Sequence, residues 1–149
     1  MEIKNEKPCL VFYKTVETTL KDIWNYVGTT PAQLMEEAAK LDLEVTGPQV
    51  WNYIGGDGNP DTRFQLEICI PVKEDTLNDP SRLKALKPFK CAVTTHKGKW
   101  DEFKNVYEKL IGEIYQSGNT LGDTCREIYI NCDFENPENN ITEVQIGIN

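Results

Sequence analysis

Apolar and polar residues alternate with period two in several short stretches of this chain, and recur at three and four residue steps in two others. In "RFQLEICIPV" (63–72) Phe64, Leu66, Ile68 and Ile70 point one way while Gln65, Glu67 and Cys69 point the other, as side chains on a strand do. The final stretch, "NITEVQIGIN" (140–149), sets Thr142, Val144, Ile146 and Ile148 against Glu143 and Gln145. "QVWNYI" (49–54) and "KCAVTTH" (90–96) have strand composition, and in "REIYIN" (126–131) Ile128 and Ile130 oppose Glu127, Tyr129 and Asn131. Trp100, Phe103, Tyr107, Leu110, Ile111 and Ile114 follow a helical spacing that predicts an amphipathic helix ending at "SGN" (117–119), where Gly118 supplies a permissive backbone. A second helix is predicted from Pro31 to Leu41, with Thr30 as N-cap, Pro31 in the first turn, Gln33 three residues after the cap, and Leu34, Met35 and Ala38 buried.

The two helices fall in two similar halves. At an offset of 76 residues "TTLKDIW" (18–24) matches "TTHKGKW" (94–100), Leu34 meets Leu110, Tyr53 and Ile54 meet Tyr129 and Ile130, and Glu67 meets Glu143. Each half reads strand, helix, strand, strand. The expected fold is α+β: two such repeats forming a pseudo-twofold antiparallel sheet, with helices on one face and a ligand groove between the halves. A single domain is expected over 1–149, with repeat one at about 8–72 and repeat two at about 89–149. Residues 73–88 are a polar connection with room for a short helical turn.

Composition narrows the classes. The chain has 149 residues, 39% of them hydrophobic, enough for one domain with a real core. Its apolar runs are too short to span a membrane, and "MEIKNEK" lacks the apolar middle of a secretory signal, so a cytoplasmic address is expected. Five cysteines without a CxxC pair and a single histidine, His96, predict reduced thiols and no metal or other cofactor. A formal charge of -8 and the lack of a basic stripe argue against nucleic acid as a direct partner. No helix-turn-helix or basic segment precedes residue 9, so a stand-alone binding module is expected rather than a full transcription factor.

Helices should cover the aliphatic face of a sheet, since burying apolar area stabilises at about 25 cal/mol per Å². On that rule the other face would carry Trp51, Tyr53, Glu67, Glu127, Tyr129 and Glu143. Aromatic rings beside carboxylates suit a flat or greasy positively charged guest, because ring faces attract a desolvated cation and a carboxylate in an apolar setting needs a positive partner.

These stretches together, "GPQVWNY" (47–53), "RFQLEICIPV" (63–72), "HKGKWDEF" (96–103) and "EIYINCDFENPENNITEVQIGI" (127–148), resemble the GyrI-like small-molecule-binding family. The same fold is that of the effector-binding domain of multidrug-responsive transcription regulators. The resemblance implies a lipophilic, often cationic ligand stacked on aromatics around a buried glutamate. It assigns Tyr53, Tyr129 and Glu143 to the site, and Glu67 by the repeat; strand parity adds Trp51, and Trp100 is a lid or a core anchor. Two alternatives stand beside the sensor or sequestering protein. One is a small-molecule hydrolase, as in some relatives, with Glu143 as general base and Tyr53 or Tyr129 as hydrogen-bond donor. The other is an acidic inhibitor of a DNA-processing enzyme, which needs a protein partner. His96 reads as a surface or capping residue, Cys69 as a buried thiol and "ENPENN" (135–140) as a polar loop.

Overall fold

The computed structural model describes residues 1–149, the side chain of Tyr26 excepted. In chain order it holds β1 (Glu2–Glu6), β2 (Cys9–Thr18), α1 (Ile23–Val27), α2 (Thr30–Lys40), β3 (Val50–Ile54), β4 (Phe64–Pro71), β5 (Leu83–Leu86), β6 (Phe89–Lys97), α3 (Phe103–Gln116), β7 (Leu121–Asn131) and β8 (Ile141–Ile148). Single 3-10 turns precede α3 at Trp100–Glu102 and β8 at Pro137–Asn139. The chain divides into two compact units, one of Pro8–Lys87 and one that joins Met1–Lys7 to Pro88–Asn149. Among the described residues no helix is long and apolar enough to cross a membrane.

Both units are α+β, with antiparallel strands and a helix on one sheet face. In Pro8–Lys87 the strand order is β3-β4-β2-β5, and in the other unit it is β1-β6-β8-β7. The connection therefore carries a strand, β5, where the sequence suggested a helical turn. Its equivalent is β1: β5 pairs with β2, whereas β1 pairs with β6. Thr15 lies opposite Glu67 as Thr95 lies opposite Glu143, so the first long strands are related by an offset of 80 and not by the 76 that relates β4 to β8. The "TTLKDIW" match is thus out of structural register, and its Trp24 is 66% exposed on α1.

Helix α3 forms where the periodicity placed it. Leu110 and Ile114 bury against Ala92, Val144, Ile146 and Ile148, with Val106, Tyr107, Ile111, Leu121 and Cys125 packed around them. Each fully buried aliphatic side chain contributes about 1.5–3 kcal/mol. The helix stops at Gly118, whose φ of 83° only glycine adopts cheaply, and the N–H of Asn119 turns back to the Ile114 carbonyl at 3.1 Å. In α2, Leu34 and Ala38 are buried as expected, but Met35 is 43% exposed and the cap residue is Thr29, without a side-chain cap bond. The Arg82 guanidinium lies over the Phe12 ring at 5.4 Å and reaches Glu37 of α2 at 3.6 Å, fixing that helix on the Phe12 face of its sheet. The short α1 has no cap signal of its own and is held by burial of Ile23 and Val27.

Strand β7 is irregular between Leu121 and Cys125, and there it leans on Gly147 of β8. A Cβ at Gly147 would fall 2.7 Å from the Thr124 carbonyl oxygen and 2.8 Å from the Phe89 ring, whereas one at Gly112 of α3 meets open space. Gly147→Ala is expected to cost about 1–3 kcal/mol through overpacking, and Gly112→Ala to stabilise by roughly 0.5–1 kcal/mol through helix propensity. Urea midpoints of the two variants, moving in opposite directions, check both.

Candidate functional site

Residues directly opposite on neighbouring strands share a sheet face, so the register assigns every side chain to one side. Glu127 of β7 is opposite Val144, Tyr129 is opposite Thr142, and His96 of β6 is opposite Thr142 from the other flank. Val144 belongs to the core under α3. Glu127 and Tyr129 therefore lie on the helix-bearing face, and Ile128 shares the other face with Glu143. The same crossing occurs in the Pro8–Lys87 unit. Trp51 pairs with Ile68 and Tyr53 with Leu66 on the aliphatic face, while Asn52 pairs with Glu67. The sequence expectation that Trp51, Tyr53, Glu127 and Tyr129 share a face with Glu67 and Glu143 is corrected. Leu110 and Ile114 of α3 pack on Ala92 of β6, on Val144, Ile146 and Ile148 of β8 and beside Leu121 and Cys125 of β7, while Glu127 meets Tyr107 of the same helix and Tyr129 meets Trp100 of the turn before it.

That end holds a cluster of rings around one carboxylate. Glu127 is 5% exposed, and both of its oxygens accept phenolic hydrogen bonds: Oε2 from Tyr107 at 2.5 Å and Oε1 from Tyr129 at 2.6 Å. These are the short lengths of charge-assisted O–H···O⁻ bonds. Trp100 stands edge-on to Tyr129, with centroids 5.6 Å apart, and donates from Nε1 to Thr142 Oγ1 at 3.1 Å. Phe134 stands edge-on to Trp100 at 6.1 Å. On the opposite flank His96, Phe103 and Tyr107 continue the series, with centroid spacings of 5.6 and 6.3 Å. Each such ring pair adds about 0.5–1.5 kcal/mol beyond its buried area. His96 Nε2 lies 3.0 Å from the Lys99 carbonyl oxygen and 3.2 Å from Glu102 Oε2, and Lys99, the N-cap of the turn at Trp100, has no side-chain cap bond.

The other predicted residues have partners within their own units. Glu143 is held by Lys4 Nζ at 3.2 Å and by the Gln145 amide at 2.6 Å, and its carboxylate raises the pKa of Lys4, first through that hydrogen bond and then through charge. Glu67, 2% exposed, accepts from Asn52 Nδ2 at 2.9 Å and from Lys84 Nζ, whose ammonium also lies 4.5 Å from the centre of the Tyr13 ring. Trp51 donates to Gln49 at 2.7 Å, and Tyr53 packs on Phe64 at 5.7 Å. Trp100 and Tyr129 are thus brought together with Glu127, while Glu143 and Glu67 each meet a lysine. Tyr107 and Phe134 were not selected from the sequence, and Glu127 was placed on the candidate ligand face without being named a binding residue. The available signal for Glu127 was its place two residues before Tyr129; Tyr107 was assigned to the buried helix face, and Phe134 sits in a loop that carries no periodicity. All five cysteines are free, and burial pushes the Cys91 thiol up to about 11 and the Cys125 thiol up to about 12, so neither is a nucleophile at neutral pH.

The model of the GyrI-like small molecule binding domain family matches residues 1–149. No curated protein matches the sequence. Among solved structures, EcmrR in the EcmrR–DNA complex of EcmrR-RPo is similar over 99% of this chain and 56% of its own, at 20% identity and a TM-score of 0.82. The crystal structure of the EcmrR C-terminal domain matches over 99% of this chain and 96% of its own, at 19% identity and a TM-score of 0.79. SAV2435 bound to tetraphenylphosphonium matches at 16% identity and a TM-score of 0.68, over 99% of this chain and 93% of its own. At these identities the likeness speaks for the fold. This chain spans a little over half of the EcmrR chain and nearly all of its C-terminal domain.

The phenol–carboxylate unit is testable without a ligand. Tyr107→Phe and Tyr129→Phe each remove one hydrogen bond to a buried carboxylate, and each is expected to lower stability by about 1.5–3 kcal/mol. Combined with Glu127→Gln in double-mutant cycles, both tyrosines should show coupling energies above about 0.5 kcal/mol, and additive losses would contradict the geometry.

Proposed function

The chain belongs to the GyrI-like small-molecule-binding domain family, and from that premise we propose that it binds lipophilic cations on the aromatic cluster around Glu127. One observation carries the reading: a buried carboxylate with both oxygens held by tyrosines, bordered by Trp100 and Phe134. A cation over an aromatic face gains about 0.5–1 kcal/mol when exposed and about 2 or more when desolvated, so two or three rings beside one carboxylate favour a desolvated cation. The cation in the SAV2435 structure, tetraphenylphosphonium, is of the chemical class this cluster suits. Glu127 takes the counter-charge role that the family resemblance gave to Glu143. Glu143 and Glu67 are read as structural ion pairs, since Lys4 and Lys84 already supply their positive partners. Tyr129 and Trp100 belong to this cluster.

The test uses Trp100 as the reporter. Tetraphenylphosphonium is expected to quench tryptophan fluorescence saturably, and the ligand should be recovered with unchanged mass. Glu127→Gln should weaken this cation at least tenfold, about 1.4 kcal/mol, and weaken neutral triphenylphosphine oxide less than threefold. Glu143→Gln should change neither affinity by more than about threefold. Equal losses for the cation and the neutral compound in Glu127→Gln would remove the counter-charge role, and a hydrolysed ligand would replace the binding reading with the enzyme.

A further inference from the structure

Phe134 is 83% exposed, more than any other large apolar side chain among the described residues. Its loop is nevertheless fixed. The Asp133 N–H donates to Asn140 Oδ1 at 2.6 Å, and Asp133 Oδ1 accepts the N–H groups of Glu135 at 3.1 Å and Asn136 at 2.9 Å. Asn131 Nδ2 donates to the Asn139 carbonyl at 2.9 Å, and the carbonyl of buried Asn140 accepts the Gly98 N–H at 2.9 Å. That last bond ties the loop to the turn from which Trp100 projects. An apolar ring held out in water by a preorganised loop still has most of its burial to gain, and little conformational entropy to lose when something covers it.

What would cover it follows from the series of rings. From the Glu127 carboxylate the hydrogen bond runs to Tyr129, then the edge contact to Trp100, then the edge contact to Phe134. A compact or aliphatic cation that reaches the carboxylate is served by Tyr107, Tyr129 and Trp100. A cation carrying aryl groups extends further, and an aryl ring meets an edge-presented ring in the offset or T-shaped geometry that aromatic pairs prefer. We propose that Phe134 forms the outer wall of the site and gives it a preference for polyaryl over tetraalkyl lipophilic cations, with Asp133 as the residue that positions the wall. The inference rests on the Glu127 reading above.

Calorimetric titration with tetraphenylphosphonium and tetrabutylphosphonium, two lipophilic cations of equal charge, separates the two ideas. Phe134→Ala should weaken tetraphenylphosphonium about tenfold and tetrabutylphosphonium less than threefold, with the free protein still folded because the ring's only ring contact among the described residues is the edge of Trp100. Phe134→Tyr should restore the wild-type ratio of the two affinities. Asp133→Ala should reproduce the selective loss without touching the ligand. An equal loss for both cations, or none for tetraphenylphosphonium, overturns the role of Phe134 while leaving the Glu127 site standing. Failure of the wild-type protein to bind either cation, or Glu127→Gln binding as wild type, removes the site and the wall with it.

Discussion

The pairing of β7 with β8, Val144 opposite Glu127 and Thr142 opposite Tyr129, is the constraint on which the site depends. A slip of one residue would turn Ile128 and Ile130 toward Trp100 and send Glu127 and Tyr129 to the other face, because side chains alternate with period two. Two features resist that slip. Val144 and Ile146 are locked under Leu110 and Ile114, and Gly147 lets the irregular stretch at Thr124 approach more closely than any side chain would permit. The hydrophobic core and the polar site are therefore one decision: the residues that bury against α3 set the row in which the carboxylate must stand.

The repeat was legible because it is built into the strands and helices. Leu34 and Leu110 occupy matching buried places, and β4 and β8 keep the offset of 76 throughout. The face of the aromatics was not legible in the same way. Parity along one strand says which residues share a side, but the choice of side was made from the rule that aliphatics face helices. That rule holds for Leu66, Ile68, Val144 and Ile146, which lie centrally. It fails on β7, where Ile130 is 51% exposed and Glu127 is buried, because the phenols of Tyr107 and Tyr129 make the carboxylate acceptable on the helix side. Strands β1 and β5 were missed for another reason: five residues of mixed charge and four residues with a single lysine carry too little alternation to declare themselves.

Those two edge strands explain the acids that the sequence made most prominent. Lys4 of β1 is opposite Cys91, four residues before the partner of Glu143, and Lys84 of β5 is opposite Val11, four residues before the partner of Glu67. Each unit thus brings a lysine from its outer strand to the same carboxylate station. Breaking either pair would strand a charge that is largely withdrawn from water, which costs several kcal/mol when burial is complete. The duplication has kept a carboxylate and its ammonium together although β1 and β5 stand at opposite ends of their repeats in sequence. It has not duplicated Glu127, whose counterpart at the offset of 76 is Trp51.

That difference bears on which acid can serve a guest. A lysine satisfies a carboxylate by neutralising it, so an arriving cation must first displace the ammonium. A phenol satisfies the same lone pairs while adding no net charge, and it fixes the carboxylate in place before the ligand comes. Tyr107 and Tyr129 do this from two elements, α3 and β7, so each oxygen of Glu127 is oriented by a phenol. The surrounding rings then work in the same direction: their faces carry negative quadrupole potential, and the formal charge of -8 adds a long-range attraction for cations that fades over a Debye length of about 8 Å at physiological salt. The long-range field brings cations to the surface without choosing among them. The choice is made at close range, by how much aromatic surface a particular cation covers once its charge is beside Glu127.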